Sequence, residues 1–207
     1  MPSNTVPSNA GVWSFGGAYN NGPAQVGLAY EEHVNVRGTG IVDKGFTVAG
    51  GWQFPWVRPA VVYQRLSYDV LPLTGVTTNT TQITQNLWGV TGTINLGPGQ
   101  IYLAYIKALD GGGSAPDHTT TSPTSPAPRV GNVTEGPNTS SQQYEVSYTY
   151  PLSKRTLLYA GWVKIKNSQS ASYTFNINSY AVCGGNGNAC GNAGSPQGFL
   201  AGMVHFF

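Results

Sequence analysis

The sequence predicts an all-β fold, a transmembrane antiparallel β-barrel, and three observations carry this prediction. Charged residues make up only 9% of the 207 residues, against about 25% in soluble domains. Segment after segment alternates large apolar residues with small or polar ones, the period of a β-strand with two different faces. Short connections alternate with long ones between these segments, which is typical of outer-membrane barrels.

The first four predicted strands form two pairs. Apolar and small or polar residues alternate over 12–19 and over 24–33, which predicts a strand in each. The Asn-Asn-Gly-Pro sequence between them is typical of a tight turn. Strands over 45–54 and 56–68 follow the same pattern and meet at a turn at Pro55. Each pair therefore reads as a hairpin with its apolar residues on one side.

Five further strands complete the predicted sheet. The strands over 86–96 and 100–108 are joined by a Leu-Gly-Pro-Gly turn, and those over 142–151 and 156–167 by a Leu-Ser-Lys-Arg turn. A ninth strand covers 197–207 and ends on an aromatic residue, as expected at a membrane boundary.

The alternation also assigns side chains to the two sides of the wall. Nine aromatic residues on the outward side are predicted to form interfacial girdles: Trp13, Tyr19, Tyr30, Trp52, Phe54, Trp88, Tyr150, Tyr159 and Phe207. Five charged residues on the other side are candidates for lining a water-filled interior: Arg58, Lys164, Lys166, Glu31 and Glu145. Because basic residues outnumber acidic ones in that set, we expect a mild anion preference. The alternative for the two lysines is that they are solvated charges at the outer rim.

The connections set the orientation of the barrel. Short turns alternate with four long polar segments, at about 34–44, 69–84, 109–140 and 168–196. In outer-membrane barrels the short turns are periplasmic and the long loops extracellular. The longest loop, 109–140, is rich in Gly, Ser, Thr and Pro without apolar periodicity and is predicted to be flexible. Residues 1–207 are interpreted as a single domain, with strands between 10 and 207.

Other functional classes receive little support. A scattered net charge of +2 gives no indication of nucleic-acid binding. The three histidines, His33, His118 and His205, have no nucleophile and acid at fixed spacing, so no enzyme, metal or cofactor is predicted. Cys183 and Cys190 are predicted to form a disulfide in the last long loop, since an oxidising exterior favours it; a metal site is the weaker alternative.

Two stretches carry a family resemblance. The run from Tyr144 to Trp162, Tyr-Glu-Val-Ser-Tyr-Thr-Tyr-Pro-Leu-Ser-Lys-Arg-Thr-Leu-Leu-Tyr-Ala-Gly-Trp, resembles the penultimate hairpin of Gram-negative general diffusion porins of the trimeric proteobacterial type. Gly202, His205 and Phe207 match the ending of their final strand, and the hairpin from Gly89 to Tyr105 is similar too.

This resemblance implies a water-filled outer-membrane channel for passive diffusion of ions and small hydrophilic solutes. The family has sixteen strands, so the chain resembles its C-terminal half. The implied partners are outer-membrane lipid, two further copies in a homotrimer, and the barrel-assembly machinery. The last of these would bind the final strand, with Met203, His205 and Phe207 as the assembly signal.

Two other hypotheses remain open at this point. About eight strands could close into a small structural or adhesive barrel. Side chains would fill the interior of such a barrel and leave no conducting pore. The chain could instead be a soluble extracellular β-sandwich. That fold requires the row of Tyr144, Val146 and Tyr148 to pack against a second sheet in a dry interior.

Overall fold

The computed structural model describes residues 9–70, 81–119, 129–177, 180–181 and 193–207. Nine long strands in this part follow one another in the chain: β1 (Gly11–Asn21), β2 (Ala24–Val34), β3 (Val42–Trp52), β4 (Val57–Val70), β5 (Thr81–Leu96), β6 (Gly99–Ala108), β10 (Ser141–Ser153), β11 (Thr156–Asn167) and β14 (Gln197–His205). Five two-residue strands lie in the long loops: β7 (Gly112–Gly113), β8 (Arg129–Val130), β9 (Val133–Thr134), β12 (Asn176–Ile177) and β13 (Tyr180–Ala181). All nine predicted strands are therefore confirmed.

The long strands form one antiparallel sheet in the order of the chain. Each pairs with its neighbours in sequence, from β1 at one edge to β14 at the other, and β7 extends the sheet along β5. Two-residue turns at Gly22 and Gly97, both with positive φ, join the first and third hairpins. Within the described residues, no helix is long and apolar enough to cross a bilayer.

The strand register gives this sheet two different faces. Side chains that are paired across a ladder lie on the same face. One row of pairs runs Leu103, Val146, Trp162 and Phe199 across four strands. Many members of this apolar face are exposed, including Phe199 at 83% and Val146 at 40%. The next row, from Gly198 to Ala104, belongs to the opposite face, which we call the polar face.

The soluble-sandwich hypothesis is wrong. The other sheets in the described part of the chain are the two-stranded pairs β8–β9 and β12–β13. Neither can cover a ten-stranded sheet, and Val146 in the row of Tyr144 and Tyr148 stays 40% exposed. The apolar face of the long strands therefore has no protein layer against it here.

The predicted face assignment is wrong for β11. Trp162 pairs with Val146 and Phe199, so it lies on the apolar face, and Lys164 and Lys166 lie on that face with it. Tyr159 pairs with Thr149 and Gly202 on the polar face, not in the outward girdle. Both phases of β11 carry large apolar residues, so the predicted faces of this strand depended on placing the two lysines in the interior. The lysines can face outward because they lie at the end of the strand, where their long side chains reach water.

The corrected position of Tyr159 explains a small residue in the last strand. Its ring lies over the backbone of Gly202, so a Cβ at position 202 would collide with that ring. Glycine in a strand marks such a close approach, and an aromatic ring on the neighbouring strand compensates for the missing side chain. Gly198, on the same strand and face, has nothing within 4 Å of a Cβ.

We predict that Gly202→Val destabilises the folded protein while Gly198→Val does not. The first substitution displaces the Tyr159 ring and costs about 1–3 kcal/mol, whereas the second adds a side chain in open space and changes stability by less than about 0.5 kcal/mol. Urea unfolding of protein reconstituted in lipid vesicles, followed by tryptophan fluorescence, measures both. Equal effects of the two substitutions would refute the role of the Tyr159 contact.

Candidate channel wall and mouth

The polar face is lined mainly by small uncharged residues. On the first four strands these are Ser14, Gly16, Ala18, Gly27, Ala29, Gly45, Thr47, Ala49, Gly51 and Ala60. Such side chains leave room along the wall, and a hollow of about 500 Å³ lies over this part of it. The hydroxyl of Thr47 accepts a hydrogen bond from Gln64 at 3.0 Å. A wall of this kind offers water and polar solutes contact without strong binding.

Three of the five predicted lining charges lie on this face. Glu31 pairs with Ser14 and Gly45 in register. Arg58 donates a hydrogen bond to the side chain of Gln25. The row of paired residues that contains Glu145 reaches β4, three strands away, at Ala60, which lies two positions from Arg58. The described strands therefore place these charges on one wall, without bringing them into contact, while Lys164 and Lys166 lie on the other face.

The sequence did not predict an ion pair that lies at the end of the sheet where the long loops are. Arg37, in the loop between β2 and β3, donates to both carboxylate oxygens of Asp43 at 2.5 Å and to the backbone oxygen of Asp69 at 2.6 Å. The Asp69 carboxylate in turn accepts from the Val42 amide at 2.9 Å and from Gln82 at 3.0 Å. The hydrogen bond to Asp43 raises the pKa of Arg37. This bidentate contact holds the loop against β3 and β4.

The longest loop packs onto the polar face where its described parts can be followed. Ile83, on that face of β5, is fully buried in a cluster with Ala115 and Val133 from the loop. Tyr68 and Val70 of β4 pack against the same cluster. The described parts of the loop, 109–119 and 129–140, thus contact the wall through this cluster, and the flexibility of the loop stays a prediction. Three apolar residues of the loop, Ala115, Val130 and Val133, suffice here without periodicity because the strands supply the rest of the cluster.

Backbone hydrogen bonds reinforce this packing. The amides of Ser114 and Ala115 both donate to the carbonyl of Gln82, at 2.9 and 3.1 Å. The amide of Gly111 donates to the hydroxyl of Thr139 at 2.8 Å, which joins the two ends of the loop. These contacts continue the sheet edge along β5 beyond the end of β6.

The last long loop also contacts the polar face of β5. The hydroxyl of Tyr173 donates to the side chain of Gln85 at 2.9 Å, across 88 positions in the sequence. Gln85, on the polar face and 1% exposed, also donates to the carbonyl of Leu109 at 2.6 Å. Burial raises the pKa of Tyr173. Segments of two long loops thus meet over the polar face and narrow the space above it at this end.

The other predicted sites lie apart from the wall or outside the described residues. His33 contacts Glu31 at 2.6 Å, His118 contacts the carbonyl of Pro137 at 2.7 Å, and His205 contacts Thr156 at 2.9 Å, so the histidines have three separate sets of partners. In the part of the chain that the structure describes, no group of three metal-binding side chains occurs. The predicted disulfide partners, Cys183 and Cys190, lie outside it.

The proposed assembly residues lie at the end of β14. Met203 pairs with Leu158 on the apolar face and is 62% exposed. The rings of His205 and Phe207 meet edge to face, with centroids 4.9 Å apart, and Phe207 is fully exposed. The residues of this C-terminal end therefore stand on the surface at the short-turn side of the sheet.

We predict that Val133→Asp releases the loop from the wall. The substitution places a carboxylate in the cluster with Ile83 and Ala115 and costs about 2–4 kcal/mol of local stability. Hydrogen exchange at the amides of Ser114 and Ala115 should rise by at least about tenfold. Val36→Asp, at an exposed loop position, is the control and should leave these amides unchanged. Unaltered exchange in the Val133 variant would contradict the packing described above.

The loop should also respond to pH through Glu135. Its burial, reinforced by the nearby carboxylate of Asp117, raises the pKa of Glu135, so the folded loop favours its protonated form. Stability of the loop therefore increases as pH falls through this raised pKa. The pKa of Asp117 is lowered by the Thr119 amide, so its contribution is lost only below its ordinary value of 3.8.

We therefore expect loop opening, measured by hydrogen exchange corrected for the intrinsic pH effect, to become rarer as the pH falls from neutral towards 4.5, the ordinary pKa of a glutamate. Glu135→Gln should remove this dependence because a neutral amide replaces the titrating group. Asp110→Asn, which keeps an acceptor for the Ser140 amide, is the control and should retain the dependence. A pH response that survives Glu135→Gln would assign it to another group.

Comparison with known proteins agrees with this architecture. A family model described as Gram-negative porin matches residues 2–170. The fold is similar to that of an anion-selective porin from Comamonas acidovorans, with a TM-score of 0.58 at 18% identity over 95% of this chain and 49% of that one. A second porin structure gives 0.51 at 15% identity over 76% of this chain and 46% of that one. The chain thus spans about half the length of these porins. No curated protein matches it. The family match over most of its length shows that the chain belongs to the Gram-negative porin family.

Proposed function

We propose that this protein forms a water-filled channel in the outer membrane for passive diffusion of ions and small hydrophilic solutes. The observation that carries the proposal is the division of one sheet into an exposed apolar face and an opposite face of mainly small and polar side chains. Some strands also place large apolar residues on that opposite face, among them Val163 of β11 and Leu200 of β14. Hydrocarbon accommodates the first face and an aqueous lumen the second. Membership of the porin family supports the same reading, and neither the wall nor the mouth suggests catalysis.

The proposed setting follows from the same features. The single domain lies in the outer membrane with its long loops outside, in contact with lipid along the apolar face. The surface-exposed end of β14, with Met203, His205 and Phe207, is proposed as the segment that the barrel-assembly machinery binds. We also propose a homotrimer, which rests on family resemblance alone.

The charge of the described wall alters the expected selectivity. The anion preference predicted from the sequence depended on Lys164 and Lys166, which lie on the apolar face. The charges on the polar face of the described strands, together with Arg37 of the loop between β2 and β3, are two arginines and three carboxylates: Arg37, Arg58, Glu31, Asp43 and Glu145. Arg37 and Asp43 neutralise each other. We therefore propose a weak cation preference in place of the anion preference.

Conductance in planar lipid bilayers tests the channel directly. The protein should give large ohmic steps, and a trimer should give them in groups of three. A folded protein that inserts but stays silent would support the alternative of a plugged structural barrel. That alternative requires a closed ring of strands, whereas β1 and β14 are both sheet edges in the described residues.

Reversal potentials in a salt gradient test the wall charges. Glu145→Gln removes an acidic group from the polar face, so we expect a shift towards anions, and Arg58→Gln should shift the potential towards cations. Lys166→Gln changes the net charge by the same amount as Arg58→Gln but on the apolar face, and should have no effect. A shift with Lys166→Gln as large as that with Arg58→Gln would overturn the face assignment.

A further inference from the structure

Charges on the apolar face occur only near the long-loop ends of the strands. Register places five basic residues and two acidic residues on this face of the nine long strands: Lys44, Arg65, Lys107, Lys164, Lys166, Glu32 and Asp69. Both acidic residues are already engaged. Glu32 accepts from the Tyr30 hydroxyl at 2.6 Å and lies 3.8 Å from Lys44, and the Asp69 carboxylate accepts from the Val42 amide and from Gln82. The outward rim on this side is therefore basic.

Three of these lysines form a cluster on neighbouring strands. Lys107 and Lys166 flank Gln142 in one row of pairs. Lys164 pairs with Tyr144 in the next outward row, towards the middle of the sheet. At about 4.8 Å per strand the two outer lysines stand roughly 10 Å apart, so one tetrahedral anion can be reached by all three flexible side chains. On this face of β6, β10, β11 and β14 the described strands carry no carboxylate.

An apolar groove lies directly below this cluster. It has a volume of about 700 Å³, and its floor is the pair of small residues Ala160 and Ala201. Trp162 and Phe199, one row above that pair, and Val146 and Tyr148 on β10 form its walls. Trp162 is the outward neighbour of Lys164 along β11, so the groove leads from the lysines towards the centre of the membrane.

We propose that this surface binds a phosphate-bearing lipid of the surrounding leaflet. The lysine cluster of Lys107, Lys164 and Lys166, with the Gln142 amide, contacts the phosphate, and one acyl chain lies in the groove over Ala160 and Ala201. An anion joined to hydrocarbon is the chemistry that fits a basic rim above an apolar groove. A free anion would gain nothing from the groove, and a neutral lipid nothing from the lysines.

Binding of lipid A, a phosphorylated glucosamine lipid, to the refolded protein in detergent tests the proposal, with native mass spectrometry as the readout. Changing all three lysines to Gln should weaken binding by about 100-fold, at roughly fivefold for each lysine. Lys154→Gln with Arg155→Gln, at the short-turn end, is the control and should bind as the unaltered protein does. Ala201→Phe, which fills the groove while the lysines remain, should weaken binding by an independent route.

Two further arms separate the sources of the anion. Lipid A without its phosphates should bind to the unaltered protein as weakly as intact lipid A binds to the triple variant. Inorganic phosphate should not compete at millimolar concentration, because it cannot occupy the groove. The proposal fails if the triple variant binds intact lipid A normally, or if the Lys154 and Arg155 variant loses as much affinity. Ohmic conductance of the triple variant should be unchanged, so failure here is distinguishable from failure of the proposed channel.

Discussion

A backbone amide in hydrocarbon has no water to bond with, so every strand that crosses a membrane must find its partners in neighbouring strands. In this protein that requirement produces a continuous antiparallel ladder from β1 to β14. Once the ladder is formed, its register decides the environment of each side chain, because a shift by one residue would exchange the two faces. The wall, the rim and the outer surface all follow from this single register.

The long-loop end shows how the interior can be narrowed without a hydrophobic core of ordinary size. Ile83 and Gln85 on the polar face of β5 are almost completely buried beneath segments of two loops. A few apolar contacts, a tyrosine hydroxyl and backbone pairing along the free edge of β5 hold these segments in place. Within the described residues the most buried side chains lie at this end, whereas most side chains in the middle of the sheet are half-buried or exposed.

Charge is distributed unequally over the two faces, and this distribution separates the two proposed functions. The wall combines Arg58 with Glu31 and Glu145 on separate strands, which suits the weak ion selection that we propose. The outward rim is basic and lies above an apolar groove, which suits an anionic lipid. A residue's contribution therefore depends on its face more than on its charge.

The sequence alone determined the nine long strands, their hairpin partners and which connections are long, since alternation and turn residues are local properties of the chain. For β11 it could not determine the face, because Tyr159 and Trp162 make both phases large and apolar. Only pairing with Val146 and Phe199 decided that Lys164 and Lys166 point outward. The contact between Tyr173 and Gln85 likewise joins residues too far apart for any local pattern to predict. Local alternation thus specified the strands, while contacts between distant segments decided how the loops and the charges are arranged around them.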